Sequence, residues 1–332
     1  MFNAQITGTG LYHPETLMTN EEYMKIAGDA INADLMANVE NKIGIKQRYW
    51  TGPDYSTADM ATFAGEKAIA DAGLKPEDIE LVIVATDTPE FISPPTACLV
   101  QGRLGCMNAG AFDVNGACSG FVAAVNMVSR VVQAGGHKHV LVIGAYNMQK
   151  FIDIKTLAVW GALLGDGAGA VVISQTTEDC GFIASNMYAD GTMWEFLGVF
   201  TGGAKYPITK EMIDKGECGL KIIKNLPNNA NLEHWPRLIR DVCEKGGIQP
   251  GDVGQYVFTQ INKLTIETVM GLIEVPAEKA ILAMDKYGYT GSACIPMALD
   301  TALKAGRIKK GDYVVLLASG VGIAMATALF KW

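Results

Sequence analysis

The sequence predicts an α/β protein built from two related halves that share one interior. One observation behind this is a repeat at an offset of 174 residues. Gly73-Leu74-Lys75-Pro76-Glu77-Asp78-Ile79 leads into the apolar run Leu81-Val82-Ile83-Val84-Ala85. Gly247-Ile248-Gln249-Pro250-Gly251-Asp252-Val253 leads in the same way into Tyr256-Val257-Phe258. The same offset carries His139-Val140-Leu141-Val142-Ile143-Gly144 onto Tyr313-Val314-Val315-Leu316-Leu317-Ala318. The third observation is the character of these runs. They are continuously apolar rather than alternating, as strands covered on both faces by helices are.

In chain order each half reads as a helix, a Gly-x-x-Pro-x-Asp turn, a buried strand, a loop, a helix and a second buried strand. The polar stretch Ser174-Gln175-Thr176-Thr177-Glu178-Asp179 separates the copies. The expected halves are therefore 1–175 and 176–332. Ligands in such sheets gather at the carboxyl ends of the strands. That draws interest to the loops after the first repeated strand of each half and to the starts of the helices that follow.

Composition narrows the function classes. The chain has 332 residues, 49% hydrophobic and 19% charged, enough apolar surface for a core and too much for a disordered protein or a disulfide scaffold. Its 27 basic and 35 acidic residues give a net charge of −8, and no basic tract is present to meet phosphates, so nucleic acid is not an expected partner. Seven scattered cysteines form no CxxC pair, and four histidines offer no zinc spacing, so no metal is expected. That usage suits a reducing cytoplasm, as does a start without a basic, apolar leader. Residues 313–330 carry no charge and are long enough to raise a membrane span, but Ser319-Gly320-Val321-Gly322 divides them. Two buried strands joined at a glycine turn are expected there, and no membrane partner. Residues 192–235 break the regular alternation, holding Trp194, Phe196, Phe200, Tyr206 and Trp235 among glycines and prolines. They read as a surface excursion, as a wall or lid over a substrate tunnel, or as both.

The sharpest local feature is Asp113-Val114-Asn115-Gly116-Ala117-Cys118-Ser119-Gly120-Phe121. A strand end meets small residues, a cysteine and then the apolar helix Phe121-Val122-Ala123-Ala124-Val125. Small neighbours let the backbone turn sharply and leave the thiol accessible. At a helix N-terminus unsatisfied N–H groups favour thiolate, so a lowered Cys118 pKa is expected. Thiolate is the nucleophile of acyl transfer, and adjacent backbone N–H groups would stabilise the oxyanion. The bland alternative is a buried structural cysteine.

The Asn-Gly-Ala-Cys-Ser-Gly-Phe elbow resembles the nucleophile motif of β-ketoacyl-acyl-carrier-protein synthase III, in the thiolase superfamily. Gly44-Ile45-x-x-Arg48, Leu164-Gly165-Asp166-Gly167-Ala168-Gly169-Ala170 and Gly320-Val321-Gly322 are similar to further segments of that family, along nearly the whole chain. The resemblance implies the five-layered αβαβα thiolase fold, commonly a homodimer, with Cys118 as nucleophile. It also implies an oxyanion hole from the N–H groups of Cys118 and Gly322, and an acyl thioester of coenzyme A or an acyl carrier protein as donor, with no permanently bound cofactor.

Against the family's pattern, Thr259 stands where its catalytic histidine is expected, and Tyr289 where its asparagine is expected. Gln260, Asn262, Gly288, Thr290 and Pro296 hold the register. In the family those two groups hydrogen-bond the malonyl thioester carbonyl as CO2 leaves. Thr259 offers one neutral hydrogen bond and no proton transfer near pH 7, and Tyr289 is a poor proton carrier. Of the histidines, His234, beside Trp235, is the one near a segment that lines the family's tunnel. The coenzyme A contacts are altered too: Asn38 and Ala158 replace the adenine-stacking pair, Lys42 replaces one arginine and Leu264 another. Ser93 falls where the family places a bulky residue across the dimer to limit the acyl pocket, and Asn262 adjoins the acyl site. The expected function is a ketosynthase-III-like acyltransferase that loads Cys118 and passes the acyl group on without malonyl decarboxylation. The alternatives are a subunit of a two-component condensing complex and an ordinary 3-oxoacyl-acyl-carrier-protein synthase III.

Overall fold

The structure is a computed structural model and describes residues 2–225, 227 and 229–332. Two five-stranded sheets form its frame, and their strands follow one another in the same way twice. The first half runs β1 (Asn3–Tyr12), α1 (Thr57–Asp71), β2 (Leu81–Ala85), α2 (Thr96–Leu104), β3 (Gly110–Val114), α3 (Gly120–Gln133), β4 (His139–Tyr146) and β5 (Gly167–Thr176). The second runs β6 (Gly181–Ala189), α4 (Ala230–Lys245), β7 (Val253–Phe258), α5 (Lys263–Leu272), β8 (Ala280–Ile281), α6 (Cys294–Lys304), β9 (Tyr313–Gly320) and β10 (Ala324–Lys331). Shorter strands and helical turns join them.

The strand order is β1-β5-β4-β2-β3 in one sheet and β6-β10-β9-β7-β8 in the other, so each strand of the first half has a counterpart five strands later. Register repeats as well. Leu81 pairs with Val140 in the first sheet and Gln255 with Val314 in the second, which is the 174-residue offset seen in the sequence. The central strands are parallel and buried on both faces, which accounts for their unbroken apolar runs. The charge-free stretch 313–330 becomes the antiparallel pair β9 and β10. Among the described residues no helix is long and apolar enough to cross a membrane.

Helices α3 and α6 lie between the sheets and touch strands of both, while α1 and α2 cover the outer face of one sheet and α4 and α5 that of the other. This gives the expected five layers. Being sandwiched, α3 buries Phe121, Val122, Val125, Val128 and Val132, a helical spacing, together with Gly120, Ala124, Asn126 and Ser129. The Gly-Ile-x-x-Arg motif is structural. Arg48 is fully buried and donates to the Met18 carbonyl at 3.2 Å, to Asn20 Oδ1 at 2.7 Å and to the Ala162 carbonyl. Asp166 of the glycine-rich segment accepts from the N–H and hydroxyl of Thr51, each at 2.9 Å. Both residues tie the loop around Thr51 to the segment that leads into β5.

Candidate active site

The carboxyl ends of β2, β3 and β4 lie side by side, because Ala85 pairs with Val114 and with Gly144. The residues just beyond those pairs therefore meet at one place. Beyond β3 the chain makes the elbow: Ala117 takes a positive φ of 48°, its N–H bonded to Asn115 Oδ1 at 3.0 Å. Ser119 N–H reaches the Gly116 carbonyl at 3.1 Å, and α3 begins at Gly120. A non-glycine residue in that region of φ is strained and has to be held by its surroundings. Part of that support is Gly320, at the end of β9. A Cβ there would lie 2.8 Å from the Cys118 nitrogen and 3.0 Å from the Gly116 carbonyl oxygen, so only glycine lets the two backbones meet.

Cys118 opens into a cavity of about 300 Å³. Asp87, Tyr146, Thr259, Tyr289, Gly320 and Val321 line it around the thiol, and Trp160, Leu197, Val199, Leu220 and Ile261 supply apolar surface farther out. Trp160, Leu197, Pro227, Asn231 and Ile261 also line an outer cleft of about 580 Å³, which carries Asn262, Thr265, Ile43 and Lys224. The interior site thus has a mouth. The segment 192–235 does form its wall, through Leu197, Val199, Leu220 and Pro227 rather than through its tryptophans. Trp194 is half exposed, packed edge-on against Phe200.

The expected lowering of the Cys118 pKa is corrected by the structure. Burial pushes the thiol well above its ordinary range and the nearby Asp87 carboxylate adds to this, against a hydrogen bond from the Tyr289 hydroxyl. The helix N-terminus does not decide the matter, because the desolvation of a buried thiolate outweighs it. Tyr289 is held by its own backbone, its N–H on the Leu163 carbonyl at 2.8 Å and its carbonyl accepting from Gly165 N–H at 3.0 Å. Its ring sits 6.2 Å from that of Tyr146. Both phenols are pushed well above their ordinary range by burial.

Thr259 reaches the cavity, but its hydroxyl is engaged with β9: it accepts from Ser319 N–H at 2.9 Å and lies 3.4 Å from the Ser319 carbonyl. Gly322 sits in the β9–β10 turn with φ of 130°, between Val321 and Ile323, which line the cavity while Gly322 does not. Asn262 is the N-cap of α5, its Oδ1 accepting from Thr265 N–H at 3.1 Å, and it borders the outer cleft. Trp235 is corrected from a substrate contact to a core residue: it is fully buried and its ring stacks 5.2 Å from that of Phe258. His234, one residue earlier on α4, faces the other way and packs on Tyr188 at 4.4 Å, so it borders neither cavity. Ser93 and Lys42 are exposed, Ser93 in the loop before α2, and neither lines the two cavities. Asn38 and Leu264 are exposed, and Ala158 is buried with its carbonyl bound by the Tyr23 hydroxyl at 2.6 Å.

Two residues that the sequence reading missed stand at the centre of the site: Asp87 and Tyr146. Both lie two positions past register-matched residues of neighbouring strands, Ala85 and Gly144. The signal available in the sequence is an acid two residues past the buried run Leu81-Val82-Ile83-Val84-Ala85, in the loop that the repeat singles out.

Comparison with known proteins agrees with the architecture. Residues 112–191 match the family 3-oxoacyl-[acyl-carrier-protein (ACP)] synthase III, and residues 243–332 match its C-terminal family. A β-ketoacyl-[acyl-carrier-protein] synthase III from Caldanaerobacter subterraneus subsp. tengcongensis is 35% identical over 99% of this chain and 98% of its own length. The acetoacetyl CoA synthase NphT7 of Streptomyces sp. (strain CL190) is 35% identical over 99% of this chain and 98% of its own. The crystal structure of a 3-oxoacyl-[acyl-carrier-protein] synthase III from Aquifex aeolicus VF5 superimposes with a TM-score of 0.86, at 32% identity, over 99% of this chain and all of that one.

Proposed function

The chain belongs to the β-ketoacyl-[acyl-carrier-protein] synthase III family of thiolase-fold condensing enzymes, and from that premise we propose that it is an acyltransferase working through an acyl-Cys118 thioester. The acyl group comes from a thioester of coenzyme A or of an acyl carrier protein and passes to an acceptor without decarboxylation of a malonyl group. The observation that carries this is the placement of Cys118 on a strained elbow at the inner end of a largely apolar cavity with a separate mouth. The elbow presents the thiol, the cavity receives an acyl chain, and N–H groups of Cys118 and of the β9–β10 turn are the candidates for the oxyanion.

The reading against decarboxylation rests on Thr259 and Tyr289. An enolate formed as CO2 leaves needs electrophilic donors aimed at the thioester oxygen, and loss of one such donor costs about 100- to 1000-fold in comparable sites. The Thr259 hydroxyl is engaged with Ser319, and the Tyr289 hydroxyl stands beside the thiol, where it favours thiolate. The names of the relatives favour the other reading, ordinary decarboxylative condensation.

Incubation with acetyl- and octanoyl-coenzyme A followed by intact mass measurement is expected to show one acyl adduct, lost in Cys118→Ala. Condensation of acetyl-coenzyme A with malonyl carrier protein is expected to be at least ~100-fold slower than adduct formation. Comparable rates would restore the condensing reading. No adduct with either donor, together with a second chain that copurifies in equal amount, would make the protein a subunit of a larger complex.

A further inference from the structure

The Cys118 site has a thiol that burial keeps protonated and, among the described residues, no Lys, Arg or His on its cavity wall. Asp87 is the carboxylate there. Its loop is fixed from several sides: Thr86 N–H bonds the Val114 carbonyl at 3.1 Å, Thr88 N–H bonds Thr86 Oγ1 at 3.0 Å, and Asn147 N–H bonds Thr88 Oγ1 at 2.9 Å. The side chain lines the cavity with Cys118, and its Oδ1 is buried without a hydrogen-bond partner. A buried, unpartnered carboxylate oxygen is costly unless something else uses it.

We propose that Asp87 is the proton carrier of acyl transfer at Cys118. As the Cys118 sulfur bonds to the donor's carbonyl carbon, the thiol proton passes to the Asp87 carboxylate. As the bond to the donor sulfur breaks, Asp87 returns that proton to the departing thiolate, which leaves as a free thiol. When an alcohol or amine acceptor attacks the acyl-enzyme, its O–H or N–H proton passes to Asp87, the bond to Cys118 breaks, and the Cys118 thiolate recovers the proton. Each half-reaction balances with no further reagent.

The surroundings suit this role. Burial raises the Asp87 carboxyl to about 6, close enough to neutrality to accept and return a proton in one cycle. The titratable groups that face this corner are Cys118, Tyr146 and Tyr289, with Cys294 of α6 and Asp166 within electrostatic reach. All are acids that stay neutral more readily than Asp87, apart from Asp166, whose Oδ2 accepts from Thr51 and whose Oδ1 is also without a partner, but which lines neither cavity.

The inference rests on the acyl-enzyme reading, and the test separates the two. Wild type, Asp87→Asn and Asp87→Glu are each mixed with acetyl- and octanoyl-coenzyme A, and the rate of Cys118 acylation is followed by intact mass from pH 5 to 9. Alkylation of Cys118 by iodoacetamide is measured alongside, because it needs thiolate but no acyl donor. Asp87→Asn is expected to slow acylation about 100-fold and to remove the rise in rate near pH 6, with Asp87→Glu recovering most of the rate. Alkylation of Asp87→Asn is expected to be as fast as wild type or faster, since a negative neighbour that opposes thiolate is gone. Acylation within threefold of wild type with the same pH profile overturns the proposal and leaves the acyl-enzyme reading standing. Equal losses in acylation and alkylation also overturn it, by showing a general disturbance of the thiol. Failure of wild type to acylate while it alkylates normally removes the acyl-enzyme reading and the role of Asp87 with it.

Discussion

The two halves of the molecule carry the same architecture, yet equivalent positions at the shared cavity are used differently. The 174-residue offset places Ser292 opposite Cys118, Ile261 opposite Asp87, Tyr289 opposite Asn115 and Gly320 opposite Tyr146. Ser292, at the start of the inner helix as Cys118 is, buries its hydroxyl and donates to the Ala145 carbonyl at 2.7 Å. Cys118 has no such anchor and faces the cavity. Thr259 of the second half clamps Ser319, whereas Asp87 of the first leaves Oδ1 without a partner. A duplicated fold thus supplies two equivalent sheet edges; at one of them a buried carboxylate oxygen is left without a partner beside the cavity, and on the proposed reading that edge acts while the other holds it. That contrast can be broken by placing side chains from one half into the other, or by removing the contacts that distinguish them.

The largest effect is expected at Gly320, where the second half lacks the side chain that Tyr146 supplies in the first. In Gly320→Ala the new Cβ would stand 2.8 Å from the Cys118 nitrogen and 3.1 Å from the Ala117 Cβ, so the elbow has to move. A displacement of about 1 Å at the nucleophile costs on the order of 100-fold. Single-turnover acylation of Gly320→Ala is therefore expected to fall by that factor. A loss below threefold would show that the elbow is not held by this contact.

Asp87→Asn tests the other side of the contrast, the cost of leaving a carboxylate unsatisfied. The folded carboxyl titrates at about 6 and the unfolded one at its ordinary 3.8. Between those values the folded chain keeps a proton that the unfolded chain has released, so stability falls as pH rises from about 4 to about 6 and stays lower above. The substitution removes that loss, worth up to ~3 kcal/mol by the pKa difference. Thermal unfolding is expected to show Asp87→Asn more stable than wild type at pH 8 and equal to it near pH 3.5. Equal stability at both would mean that the carboxylate is better solvated than its unpartnered oxygen implies.

Thr259→Val removes a holding contact from the second half. Ser319 N–H would lose its partner in a partly buried place, at about 1 kcal/mol. A lower Tm with acylation within about threefold of wild type is the expected outcome, since Val keeps the shape and the hydroxyl is not aimed at the thiol. An acylation loss as steep as that of Asp87→Asn would put Thr259 among the reacting groups and end the division of labour between the halves.

How far the sequence revealed this division depended on the kind of force involved. The doubled sheet was legible because unbroken apolar runs and the Gly-x-x-Pro-x-Asp turns repeat locally, and local pattern is what burial on both faces writes into a sequence. The elbow was legible because small residues around one cysteine serve a local turn. Asp87 and Tyr146 were not, since each matters through the strand beside it, and pairing of Ala85 with Gly144 joins residues far apart in the chain. His234 and Trp235 failed for the complementary reason. They adjoin in sequence, but successive residues of a helix point in different directions, so α4 sends Trp235 into the core against Phe258 and His234 out to Tyr188. The direction of the Cys118 shift was missed because a helix end is visible in sequence and the depth of burial is not.

Tyr289 is the residue on which the comparison is finest, because it comes from the holding half and touches the acting group. Its hydroxyl beside the Cys118 sulfur favours thiolate, while Asp87 opposes thiolate by its charge. The two substitutions should therefore move the thiol in opposite directions. Tyr289→Phe keeps the ring against Tyr146 and loses the hydrogen bond, so the thiol pKa rises and alkylation by iodoacetamide at pH 8 slows by about three- to tenfold, the scale of a ~1 kcal/mol hydrogen bond. Asp87→Asn lowers the thiol pKa and speeds the same reaction. In the double variant the two shifts should partly cancel, since both act on one sulfur. Acylation should not follow that cancellation: it should stay as slow as in Asp87→Asn alone, because restoring the thiol's acidity does not restore the carboxylate that takes its proton. If acylation instead tracks alkylation through all three variants, the site is governed by thiolate population, and the two halves differ only in electrostatics.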